Sequence, residues 1–242
     1  MIFTKDSQNF DFQTGQIILI DKPLDWTSFD VVKKIKHATK AKTGHAGTLD
    51  PLATGLVILC TGKFTKRIQE LQDQEKEYTG TIGLGATRPS YDQETEINET
   101  FETTHITPEL IQEATKLFLG EIDQIPPIFS AIKMDGKTSY DLARAGKEIE
   151  MKSRRISIYE FEITGIEMPL VHFRVRCSKG TYIRSLAYDF GKALNSGAYL
   201  HDLRRTKSGP NKVEDAWTIP EITDYLFAHK DVILHHAGIQ KR

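Results

Sequence analysis

The chain has 242 residues, enough for one large domain or one domain with a small appendage. Hydrophobic residues make up 39% and charged residues 27%, so a sizeable core is available and global disorder is excluded. The formal net charge of −1 argues against a uniformly basic nucleic-acid binder. The charges are clustered, however. Lys33, Lys34, Lys36, Lys40 and Lys42 fall in one short segment, Arg204, Arg205 and Lys207 form a second knot, and acids concentrate from Asp92 to Glu113. A bipolar surface follows.

In chain order, Gln16–Ile20 reads as a short apolar strand followed by the turn "DKP". Thr27 with Asp30 makes an N-cap pattern, and Val31, Val32 and Ile35 give a helical stripe whose outer face carries lysines. "GLVILC" reads as a buried strand and "FTKRIQEL" as a helix after it. "EYTGTIGLG" puts Tyr78, Gly80, Ile82 and Leu84 on one face of a strand. The polar stretch from Asp92 to His105 reads as a loop. Thr107-Pro108 opens a helix with Leu110, Ile111, Ala114, Leu117 and Phe118 on one side, stopped at Gly120. "QIPPIFSAIKMDGKTS" is hairpin-like, and "YDLARAG" is a short helix ending at Gly146. "RRISIYEFEI" and "LVHFRVRC" form adjacent strands, the second with Val171, Phe173, Val175 and Cys177 inward and His172, Arg174 and Arg176 outward. After Ser178-Lys179-Gly180 comes a helix burying Ile183, Leu186, Ala187 and Phe190. No repeat or low-complexity linker divides the chain, and the expected class is α+β with a mixed, mostly antiparallel sheet flanked by helices.

Cys60 and Cys177 sit in apolar runs without CxxC or histidine spacing, which suggests buried thiols rather than a disulfide framework or a zinc site. The N-terminus lacks a secretory pattern, and no window approaches the roughly 18 apolar residues of a membrane span. A soluble, reducing, cytoplasmic setting is expected.

Candidate chemistry centres on "GHAGTLDPLATG", where Asp50 is the one acid among small residues. An Asp before Pro is ordinarily a turn former; here the cleared surroundings and the basic flank point to a carboxylate presented to a bulky anionic partner. His45 has no second ligand at useful spacing, so no metal is expected. "IGLGATR" lacks the third glycine of a dinucleotide loop, "GHAGTLD" lacks the GK[ST] of a phosphate loop, and Ser130 lies outside any GxSxG elbow. Tyr78 and Tyr182 could stack on a nucleobase or serve the core. Arg184 opens a helix where it could face a cleft or solvent, and "LRRTKSG" suits either a solvated basic face or phosphate contacts.

Taken together, these segments resemble bacterial tRNA pseudouridine-55 synthases of the TruB type. "KTGHAGTLDPLATGLVIL" is similar to that family's signature, "DKPLDWTS" to its Lys-Pro…Thr-Ser element, and "KEYTGTIGLG" to its tyrosine-bearing strand. "QIPPIFSAIKMDGKTSYDLARAG", "CSKGTYIRSLAYDFG" and "LRRTKSG" are similar to its later blocks, in order, from about Gly15 to Gly209. The resemblance implies a pseudouridine synthase fold with a small inserted helix/hairpin region. The implied activity is conversion of uridine 55 in the tRNA T-loop to its C-glycoside isomer, with no cofactor, no metal and the base flipped out of the loop.

It also implies roles for individual residues. Asp50 is the catalytic aspartate, Tyr78 stacks on the target base and is a candidate for removing the C5 proton, and Arg184 pairs with the carboxylate and favours its charged form. His45 fills the space vacated in the loop, Tyr182 and Leu203 line the pocket, and Lys22, Arg204 and Arg205 contact substrate or RNA. Attack at C6, attack at C1′ and abstraction of a sugar proton all stay open. Two departures stand out. After "EDAWTI" there is no room for the PUA domain of longer relatives, so residues 1–215 are expected as the catalytic domain and 216–242 as a short helical tail. "GATRPSYDQETE" departs from the usual loop, and no role is assigned to it. The expected partner is the tRNA T-stem-loop, with no membrane, no obligate protein partner and a monomeric state. The rivals are an inactive RNA-binding or tRNA-chaperone module of the same fold and a small-molecule hydrolase built on Asp50.

Overall fold

The structure, a computed structural model, describes residues 2–130, 132–134, 137–139 and 151–239. In chain order its main elements are β1 (Ile17–Lys22), α1 (Ser28–Thr39), β2 (Thr43–Ala46), β3 (Ala53–Thr61), α2 (Ile68–Gln72), β4 (Lys76–Leu84), α3 (Pro108–Lys116) and β5 (Gly120–Gln124). They continue with β6 (Arg154–Glu167), β7 (Leu170–Cys177), α4 (Ile183–Ala193), β8 (Ala198–Ser208), α5 (Ile219–Ala228) and α6 (Lys230–His236). The chain forms two compact units: one runs to Lys76 and resumes at Arg204, and the other spans Glu77–Leu203. The strand pairs are mostly antiparallel, with parallel exceptions at Ile2–Phe3 and Trp217–Thr218, both against β1. The α+β class read from the sequence holds.

In the first unit β3 is the central strand. It pairs antiparallel with β1 from Ile17↔Cys60 to Lys22↔Gly55, and with β2 from Thr43↔Thr61 to Ala46↔Ile58. Leu56 through Cys60 are all fully buried, which is why this strand reads as an unbroken apolar run rather than an alternation. One face packs Ile17, Leu19, Ile58 and Cys60 with Leu71 and Val213. Helix α1 starts at a capping box: the Thr27 hydroxyl accepts from the Asp30 amide at 3.0 Å, and the Asp30 carboxylate accepts from the Thr27 amide at 3.1 Å. It buries Val31, Val32 and Ile35. The segment expected as one helix after β3 is a 3₁₀ turn, Gly62–Arg67, followed by the short α2. The C-terminal residues fold into α5, itself capped by a Thr218–Glu221 box, and α6, and both pack against α1.

In the second unit β6 lies between β7 and β5, antiparallel to both, with Phe161↔Val175 and Ile156↔Ile122 in register. The alternation expected in β7 is present, since Val171, Phe173, Val175 and Cys177 are buried. Helix α4 buries Ile183, Leu186, Ala187 and Phe190 as expected, and the Phe190 ring sits 5.4 Å from that of Phe161. The hairpin is also present, Lys133–Met134 pairing with Lys137–Thr138. The helix expected over "YDLARAG" lies outside the described residues.

Two further expectations are corrected. Leu110 and Leu117 are exposed, and the inner face of α3 is Ile111, Ala114 and Thr115, continued by Phe118, which packs on Phe161 of β6 and Phe190 of α4 and so turns that face inward. Gly120 does more than stop that helix: at φ +88° it begins β5, a strand the polar sequence "GEIDQ" gives no sign of. The stretch from Asp92 to His105 is mainly loop, as expected, with Glu99–Thr100 paired to Ala86–Thr87 and both Ser90 and Asp92 buried.

Candidate functional site

Asp50 lies in the first unit, in the turn that leads from β2 into β3, and is half-buried. Several backbone groups around it are tied down. The Asp50 carbonyl accepts from the Ala53 amide at 3.1 Å. Ser28 at the start of α1 accepts from the Leu49 amide at 2.9 Å and donates to the Leu49 carbonyl at 3.1 Å. The Pro51 carbonyl accepts from the Asp25 amide at 3.0 Å and from the Lys22 ammonium at 3.3 Å.

Lys22 and Arg205, expected as RNA contacts, are corrected by their burial: Lys22 is fully buried and Arg205 is 1% exposed. Lys22 spends its remaining donors on the carbonyls of Pro23 (2.9 Å) and Trp26 (2.6 Å). Burial pushes its pKa down to about 8, against the opposing pull of the Asp50 charge. Arg205 donates to the carbonyls of Leu56, Gly47 and Thr48. Arg204, its neighbour on β8, is half-exposed and makes a bidentate pair with Asp21 at 3.0 and 2.7 Å. His45, on β2, is half-buried, and burial followed by the Arg205 charge lowers its pKa, which favours the neutral imidazole. The first unit therefore brings Asp50, Lys22 and Arg205 together as one loop and its internal supports.

The second unit holds the other expected residues. Tyr78 is buried on β4. Arg184, the second residue of α4, is buried; its Nε lies 3.5 Å from the Asp92 carboxylate, and its Nη1 donates to the Ser90 carbonyl at 3.2 Å. Tyr182 is the N-cap of α4 and has no side-chain cap of its own. The Gln124 amide holds it from both sides, donating to the Tyr182 carbonyl at 3.0 Å and accepting from its amide at 2.8 Å. The Arg154 guanidinium lies 5.9 Å from the Tyr182 ring centre, and Leu203 is buried on β8.

Sequence reasoning missed Asp92 and Gln124. Asp92 gave no signal beyond being an acid in a polar stretch. Gln124 stood in plain view at the head of "QIPP", but its amide carries no charge or period to mark it. Among the described residues no group of three or more His, Cys, Asp or Glu is placed to hold a metal ion, and no helix is long and apolar enough to cross a membrane.

Chemically, the first unit offers a half-buried carboxylate on a hydrogen-bonded loop. The second offers a buried arginine–carboxylate pair, a buried tyrosine and a fixed helix start. A carboxylate held on such a loop suits acid–base or nucleophilic chemistry on a bound organic group.

Comparison with known proteins bears on this arrangement. A family model described as "TruB family pseudouridylate synthase (N terminal domain)" matches residues 33–183, and one described as "tRNA pseudouridylate synthase B C-terminal domain" matches residues 184–236. A tRNA pseudouridine synthase B of Flavobacterium johnsoniae is 62% identical over 214 residues, covering 85% of this chain and 93% of its own. One from Phocaeicola vulgatus is 52% identical over 223 residues, covering 89% and 95%. Among solved structures, a chain of a Cbf5-Nop10-Gar1 complex is 33% identical with a TM-score of 0.72. This chain is covered to 97% in that match but spans only 62% of the other. A chain from an H/ACA RNP bound to a substrate RNA containing 2′-deoxyuridine is 29% identical, with a TM-score of 0.67 and 65% of its length spanned.

Proposed function

The chain belongs to the TruB family of pseudouridylate synthases and isomerises a uridine of tRNA to pseudouridine; we propose that Asp50 is the carboxylate that does it, at uridine 55 of the T-loop. The observation that carries this reading is the Asp50 loop itself, fixed by its backbone on both sides while Asp50 is only half-buried. The reaction breaks the bond between N1 and C1′, turns the base and forms a bond between C5 and C1′. C5 loses a proton and N1 gains one. Atoms and electrons balance without a second substrate, so a carboxylate and a proton acceptor suffice.

The remaining roles rest on the motif resemblance. Tyr78 stacks on the target base, Arg184 serves the reacting carboxylate, and Tyr182 and Leu203 line the nucleotide site. His45, as a neutral imidazole, supports the loop from which the base has left. Flipping that base costs a few kcal/mol of unstacking. The buried Cys60 and Cys177, which stay out of disulfides, agree with the cytoplasmic setting that belongs to the same reading.

The test is Asp50→Asn, assayed by tritium release from 5-labelled uridine in tRNA and by tRNA binding. Turnover is expected to vanish while binding persists; appreciable tritium release would refute the assignment. The same assay on the unsubstituted chain separates the isomerase from an inactive RNA-binding module.

A further inference from the structure

The two arginines of "LRRTKSG" point to opposite faces of β8, as period-two alternation requires. Arg204 reaches the surface and Arg205 does not. We infer that Arg205 is a positioning residue for Asp50, an internal clamp that closes the reactive loop across its base. This rests on the assignment of Asp50 as the reacting group.

A guanidinium carries five N–H donors in a rigid fork. Arg205 spends its fork on main-chain carbonyls: Nε on Leu56 at 2.7 Å, Nη2 on Gly47 at 3.1 Å and Nη1 on Thr48 at 3.5 Å. Gly47 and Thr48 precede Asp50, and Leu56 follows it. One side chain thus ties both ends of the loop, and the loop meets the same geometry whether or not substrate is bound. Burying a cation is costly unless its donors find acceptors, and here three of the five go to main-chain carbonyls.

Two glycines make the clamp possible. Gly55 sits at φ +103°, and a Cβ there would lie 2.8 Å from the Arg205 amide nitrogen and closer still to its carbonyl oxygen. Gly47 sits at φ +90°, where a Cβ would lie 3.5 Å from Nη1. The thinning of side chains around Asp50 therefore serves the approach of β8 beneath the loop. It does more than clear room for a ligand.

The experiment compares Arg205→Met and Arg205→Lys with the unsubstituted enzyme on tRNA. A misplacement of the reacting group by about 1 Å costs about 10²-fold in rate, so kcat for Arg205→Met should fall by about that factor. KM and the salt dependence of tRNA binding should hold steady. Lysine, which can reach one of the three carbonyls, should give an intermediate kcat. Unchanged kcat overturns the inference. So does a loss carried by affinity, with a salt slope shallower by about one, which is the signature of a phosphate contact.

If Arg205→Met does not fold, Arg205→Lys decides on the same criteria. A measurement on the unsubstituted protein stands behind both. The Arg205 Nε–H resonance should be protected from solvent exchange before RNA is added and unmoved by it; protection that appears only with RNA overturns the clamp. Asp50→Asn is run alongside. If that variant keeps its turnover, the failure belongs to the Asp50 assignment, and the exchange measurement still judges the clamp.

Discussion

Replacing Gly55 by alanine isolates how much of the Asp50 loop depends on the close approach of β8. Two costs add. At φ +103° an L side chain is strained by about 1–2 kcal/mol. The new Cβ also meets the Arg205 backbone, 2.8 Å from its nitrogen, and both partners are main chain in paired strands that cannot swing aside. Forcing extra volume into such a place costs about 3 kcal/mol. Gly47→Ala is the internal control: it lies in the same loop at φ +90°, but its Cβ would meet nothing closer than 3.5 Å, an ordinary contact. It should carry only the backbone strain. At about 3 °C per kcal/mol for a chain of this size, Gly55→Ala should melt about 12 °C below the parent and Gly47→Ala about 4 °C below. Circular dichroism melts on the two variants measure this directly. Equal depressions would show that the approach of β8 is not a constraint, and the argument that small residues are there for backbone contact would fail.

Four further outcomes are expected. Asp92→Ala removes a carboxylate from the buried Arg184 and should cost about 3 kcal/mol in denaturant unfolding, with loss of turnover. Gln124→Ala leaves the Tyr182 amide and carbonyl without their partner, and a loss of about 1–3 kcal/mol should accompany slower turnover. Thr27→Ala removes the α1 cap and should lower stability by about 1 kcal/mol with kcat unchanged. Lys22, with a folded pKa of about 8, should give kcat an alkaline limb near that pH, because the neutral amine has one donor too few for its three carbonyls. The sign for stability is the reverse. Between about pH 8 and 10.5 the unfolded chain holds more protons at this site, so its contribution to stability grows as pH rises through that window and is lost as pH falls through 8. A kcat–pH profile flat through 8 would refute the link between the lysine and the loop.

The fold was legible wherever burial imposes a period. β7 has one face to the core and shows it in alternate residues; α4 and α1 do the same at helical spacing. It was illegible where an element owes its shape to a neighbour. β5 has one apolar residue in "GEIDQ" and exists because β6 offers it a ladder from Arg154↔Gln124 to Ile158↔Gly120. Leu110 and Leu117 were misread for a related reason. Hydrophobicity marks candidates for a buried face, but packing of Phe118 on Phe161 and Phe190 decides which side turns inward, and these two leucines fall on the outside.

The site divides along the same physical line. Asp50 stood out because a reactive group must be accessible, and access leaves a mark in the sequence as missing side chains. Lys22 and Arg205 were misassigned because a cation that satisfies carbonyls and a cation that meets phosphate are the same letter. What separates them is burial, and burial of a charge is tolerated only when its donors are spent. Lys22 spends all three of its donors on main chain and Arg205 spends its fork the same way, both beside the one turn that carries Asp50. A loop with five glycines and alanines among its twelve residues has few polar side chains with which to hold itself, so much of its rigidity has to come from outside it. Two buried cations that gather its carbonyls inward supply that rigidity.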